Sequence, residues 1–139
     1  MMENLTEFQV WSMFSSFSIA FALRAIGSTI AIWLALRIAS NIRASEEDNM
    51  IAKVLGSVFG VLVVYAAFYW QMAYLGYREN IANGLSEMAA NGATLSAGAM
   101  EFVANFSTAS ASGTTNILLI IFDLTILAMI LGSIWMAKK

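Results

Sequence analysis

Residues 18–36 read SIAFALRAIGSTIAIWLAL, a run whose only charge is Arg24. About 20 apolar residues suffice for a helix to cross the hydrocarbon of a bilayer, and this run has nearly that length. An arginine at the centre of such a helix costs about 2.5–3.5 kcal/mol on insertion scales. Either the segment does not span, or the guanidinium has a partner, or it serves a pathway. The fold class turns on that choice.

Composition favours a membrane. Of 139 residues, 60% are hydrophobic and 12% charged, with a mean hydropathy of +0.74. A soluble domain is typically about 45–50% apolar and about 25% charged. The net charge of −2 offers nothing to a nucleic acid, which needs clustered Lys and Arg. The chain has no cysteine and no histidine. Disulfides, thiolate nucleophiles, imidazole general bases and His- or Cys-held metals are thereby excluded, so no cofactor and no catalysis are expected. Proline is also absent, which suits long unkinked helices. The first dozen residues carry Glu3 and Glu7 and no basic residue, the reverse of a signal peptide's n-region. The first apolar segment is expected to stay as an anchor.

Thr6 and Gln9 have the spacing of a capping box, and nothing breaks a helix from there to about Ala44. Trp11 and Trp33 read as interface anchors, placing the first span near 12–35. Ser45 is a candidate N-cap, and Glu46, Glu47 and Asp48 would follow it in the first turn of a second helix. So short a connection makes the first two helices an antiparallel hairpin. The second span is expected near 54–75, with Trp70 and four tyrosines crowding its far end. The last, near 117–136, ends in Trp135 and the pair Lys138–Lys139.

Residues 78–116 differ. Glu79, Glu87 and Glu101 with several asparagines argue against a lipid span. Yet Ile81, Leu85, Met88, Gly92, Leu95, Ala99, Phe102 and Phe106 recur at spacings of three and four, one helical face. The spacing predicts an amphipathic helix over 79–106. Its acidic character favours docking on protein rather than on anionic lipid. The run 107–116, STASASGTTN, reads as a connector.

Arg37, Arg43, Lys53, Lys138 and Lys139 fall on one side of this arrangement, and Arg78 on the other. The positive-inside rule then makes the first turn and the C-terminus cytoplasmic, and the N-terminus and 78–116 extracytoplasmic. The expected fold is all-α: one integral membrane domain over 1–139, three transmembrane helices and one extracytoplasmic amphipathic helix.

Asp123 is the other ionisable residue well inside a span. Counted from Trp33 and Trp135, its depth and that of Arg24 differ by roughly 4–5 Å, so the two are expected to pair. Such a pair fixes helix register; a proton or ion path is the alternative. Small residues recur on every span: Gly27, Ala31 and Ala35 on the first, Gly56 and Gly60 on the second, Ala128 and Gly132 on the third. Such faces let helix backbones approach closely.

These features point to a non-catalytic membrane subunit that builds or stabilises an assembly. Its partners would be the lipid bilayer, copies of itself and other membrane subunits. An oligomeric channel or small transporter using Arg24 and Asp123 is the alternative, and a holin-like pore former, similar in topology, is a third. The absence of a transit peptide favours a bacterial inner membrane.

Overall fold

The capping box at the start of the chain closes in both directions. Thr6 N donates to Gln9 Oε1 at 2.8 Å, and Gln9 N donates to Thr6 Oγ1 at 3.4 Å, satisfying amides that a helix start leaves without partners. In the computed structural model, which describes residues 6–45, 49–107 and 114–136, this cap opens α1, Glu7–Ala44. The helices α2 (Met50–Ala90), α3 (Ala97–Phe106) and α4 (Thr114–Trp135) follow, and no strand occurs among the described residues. Three of these helices, Glu7–Ala44, Met50–Ala90 and Ile117–Trp135 within α4, are long and apolar enough to cross a membrane.

Two expectations need correction. The second helix starts not at Ser45 but at Met50. Asn49 caps it, its Oδ1 accepting from Ala52 N at 3.1 Å, while Ser45 donates its hydroxyl to Ile42 O at 2.8 Å. Asparagine ranks level with serine as an N-cap, so the later residue takes the role. Glu46, Glu47 and Asp48 lie outside the described residues.

The single helix expected over 79–106 is instead the end of α2 followed by α3. α2 passes beyond residue 75 without a break and ends at Ala90. There Gly92 N donates to Ala89 O and Ala93 N to Met88 O, both at 3.0 Å. This is the Schellman pattern, and it requires a left-handed residue at Gly92, whose φ is +91°. After the turn, Ser96 opens α3, its Oγ accepting from Ala99 N at 3.2 Å. The connector 107–116 is largely outside the described residues, but α4 already begins at Thr114.

The chain divides into two compact units. One holds α1 up to Ala22, α2 from Gln71 onward, and α3; the other holds Leu23–Trp70 and α4. In the first unit, Val10, Ile81, Leu85 and Ala99 form a buried cluster, flanked by Trp11, Phe14, Tyr77, Met88, Leu95, Phe102 and Val103. A ten-residue helix such as α3 is marginal alone, so its order derives from this packing. The second unit is built on Ala35, Ala39, Val64, Ile126, Ile130 and Ile134.

Candidate functional site

Within the second unit, α2 lies antiparallel to both α1 and α4. A Cβ on Gly60 would stand 2.6 Å from Ile130 Cγ2; one on Gly56 would stand 2.6 Å from Ile42 Cδ1 and 3.4 Å from Ile134 Cδ1. The two glycines therefore take up side chains of α1 and α4 within the chain, as close-approach positions do. Trp135 Nε1 donates to Ser57 Oγ at 2.8 Å, and Lys53 Nζ lies 5.8 Å from the Trp135 ring centroid. Carried along at 1.5 Å per residue, this register sets Ile120 opposite Trp70.

Arg24 meets α2 at that same level. Its guanidinium carbon lies 3.5 Å from the centroid of the Trp70 ring, a close cation–π stack. No hydrogen bond joins it to Asp123. Asp123 is buried at 4% exposure, on the face of α4 that carries Ile126, Ile130 and Ile134.

Beside the stacked arginine, α1 and α2 enclose an open groove of about 710 Å³. Leu23, Phe59 and Leu62 contribute apolar walls, and Gly27, Ala31 and Ala66 leave the space by being small. Gly27 has nothing within 4 Å of where its Cβ would be. Among the described residues, Arg24 is the one charged residue of the lining, with Ser28 and Trp70 near it in sequence or contact. A volume of this size falls within the roughly 300–1,000 Å³ of typical small-molecule sites.

The small-residue positions thus have different surroundings. Ala35 is buried in the second unit's core, and Ala31 lines the groove beside Gly27. Ala128 is exposed, and Gly132 has one neighbour, Met136 Sδ at 3.4 Å from a built Cβ. Both lie across α4 from Ile130, since 3.6 residues make a turn.

Of the eight positions predicted on one helical face, all but Gly92 meet inside the first unit, across α2 and α3 rather than along one helix. Ile81 and Leu85 are buried, and Met88, Leu95 and Phe102 pack on them. Phe106 meets Phe102 in a tilted pair with centroids 4.8 Å apart, and its ring lies 4.4 Å from the Arg78 guanidinium carbon. Trp11 joins the same cluster, its ring 5.2 Å from that of Phe102. Trp33 remains exposed, with Arg37 5.6 Å from its ring.

One residue with no assigned role in the sequence reading ties the first unit together. Glu7 Oε2 accepts from Ser96 N at 2.9 Å, and Glu7 Oε1 accepts from Ser96 Oγ at 2.6 Å and from Trp11 Nε1 at 3.0 Å. The carboxylate thereby meets the positive start of α3, a contact 89 residues apart in the chain that no local pattern reveals. The Ser96 hydroxyl, then its amide, then Trp11 hold the Glu7 pKa below its ordinary 4.5. A depressed folded-state pKa adds stability above the ordinary value that is lost as pH falls through the folded one. Amide protection in α3 is therefore expected to be flat above about pH 5 and to fall below the ordinary value. In Glu7→Gln that component should vanish from a hydrogen-exchange titration; an identical acid profile in the variant would refute the link.

Among the described residues, no group of three or more His, Cys, Asp or Glu stands close enough to hold a metal ion. No protein-family model, curated protein or solved structure matches the chain.

Proposed function

We propose that this chain is a non-catalytic integral membrane subunit that builds or stabilises an assembly with copies of itself or with other membrane subunits. The observation that carries this reading is the contrast between the inside and the outside of the second unit. Inside, Ala39 and Ile130 are fully buried and Gly60 closes onto Ile130, so the helices pack against one another. Outside, Leu23 on α1, Leu55 and Tyr65 on α2, and Leu118 on α4 are each about two-thirds exposed. Apolar surface on that scale belongs against lipid or protein.

The packing also favours a structural role over a conduction path through one chain, since interdigitated side chains leave the centre of the three helices filled. In this reading α4 sets the level of the hydrocarbon over 117–136. The register then moves the span of α1 toward its C-terminal half, so that Arg24 and Trp70 lie three residues in from Ile117, about 4–5 Å from its edge. That is a depth from which an arginine reaches the interface. Arg37, Arg43 and Lys53 belong to the opposite, cytoplasmic side, in keeping with a bacterial inner membrane and an extracytoplasmic N-terminus. The outward small face of Ala128 and Gly132 suits a neighbouring helix.

The mass of the complex purified in mild detergent tests the reading. A species well above the 15.1 kDa chain is expected, and Gly132→Leu is expected to lower that mass while leaving the helical content unchanged. A wild-type chain that runs alone in detergent and in nanodiscs would overturn it. Asp123→Asn separates the alternative: lost assembly or stability is the structural outcome, whereas an intact assembly with abolished ion flux in liposomes would favour a pathway.

A further inference from the structure

We infer that the α1–α2 groove is a binding site for one anionic phospholipid, with the phosphate on Arg24 and an acyl chain along Gly27, Ala31 and Leu62. The inference rests on the membrane-subunit reading and deepens it. Three observations converge. Arg24 is exposed and, among the described residues, is the one charged residue lining the groove. Its guanidinium carbon lies over the Trp70 ring, 3.5 Å from the centroid, a cation–π contact that holds the head of the side chain, the guanidinium fork, in place at the groove. The N–H donors lie in the plane of the fork and point outward, the geometry that grips a phosphate with two hydrogen bonds. Away from Arg24 the lining is apolar except for Ser28, and Gly27 has open space where a side chain would be.

The level of the site fits this ligand. With α4 marking the hydrocarbon, the arginine stands within a turn of its edge while the groove runs toward Ala31 and Phe59, deeper in the layer. A headgroup and a chain are needed at those two depths. A helix from a second copy is the competing occupant, because Gly27 and Ala31 would admit one. It would bring Arg24 no charge at this depth, since Asp123, the chain's carboxylate within a span, is buried in its own molecule. The lipid supplies both the negative charge and the apolar filling.

The test uses the intact chain in mild detergent, titrated with phosphatidylglycerol or phosphatidylcholine and read by native mass spectrometry. One phosphatidylglycerol per chain should be retained in preference to phosphatidylcholine. Arg24→Gln should weaken retention roughly tenfold, the order of losing a bidentate cation–phosphate contact. Gly27→Leu keeps the arginine, starts its side chain where a Cβ would meet nothing within 4 Å, and should also displace the lipid by filling its chain site. Glycerol phosphate, which has the charge without the tails, should not compete.

Equal retention of the two lipids, or of phosphatidylglycerol by both variants, would overturn the proposal. So would a Gly27→Leu chain that loses a protein neighbour instead of a lipid. These failures are distinct from failure of the membrane reading, which would show as a chain that does not enter liposomes and floats with none of them.

Discussion

Gly60→Leu is expected to prevent the second unit from folding, and Gly132→Leu to leave it folded. At Gly60 even a Cβ would stand 2.6 Å from Ile130 Cγ2 and 3.6 Å from Ile130 Cβ. The obstacle is the branch of a side chain that is 0% exposed, with no free end to swing aside. Overpacking a close-packed core costs about 1–3 kcal/mol for modest additions and more when the backbone must shift. Four extra heavy atoms at Gly60 would force α2 and α4 apart. At Gly56 the nearest obstacle is the tip of Ile42, so Gly56→Ala is milder than Gly60→Ala. Thermal unfolding in detergent, followed by circular dichroism, reads all four. If Gly60→Leu and Gly132→Leu unfold at the same temperature as the wild type, the packing of α2 on α4 described above is wrong.

Leu85→Ala should loosen the first unit by about 2–5 kcal/mol, the usual range for truncating a buried leucine. Leu85 is 0% exposed and sits with Ile81, Val10 and Ala99 where α1, α2 and α3 meet. A cavity there removes contacts that α3 cannot replace, since so short a helix has little stability of its own. Hydrogen exchange is the sensitive measurement because opening can be local. Amides of α3 should lose protection steeply, while those of α4 between Ile126 and Ile134, in the other unit's core, change little. Uniform loss across both units would mean that they unfold together.

The termini of the elements were legible wherever the signal was local. Thr6 and Gln9 announce the start of α1 through a bond pattern three residues long. At the start of α2 two good caps, Ser45 and Asn49, stand four residues apart, and the local pattern does not choose between them. The break at Gly92 had its own signal, an Asn–Gly pair that favours a left-handed turn. An apolar periodicity continuing across it hid the turn, because a helix–turn–helix folded back on itself can bury residues spaced like one helical face.

The small-residue motifs show the same limit. Gly56, Gly60, Ala128 and Gly132 look alike in one dimension, yet the first two receive isoleucines and the last two face outward. Spacing says which residues share a face of a helix and nothing about what that face meets. Glu7 is the extreme case, since its partner Ser96 is on another element.

Composition, the absence of Cys, His and Pro, and apolar runs of membrane length were enough to establish an all-helical chain with three helices able to span a bilayer. Those properties depend on local hydrophobicity and on 3.6-residue periodicity, which a sequence carries directly. The surroundings of Arg24 were not readable in that way. Depth counted along separate helices suggested Asp123, but side-by-side register is set by which knobs fill which gaps, here Ile130 at Gly60 and Ile134 at Gly56. On the α1 side the same kind of fit seats Ile42 at Gly56 and brings the Trp70 ring to the guanidinium, a contact set by which side chains fill which gaps.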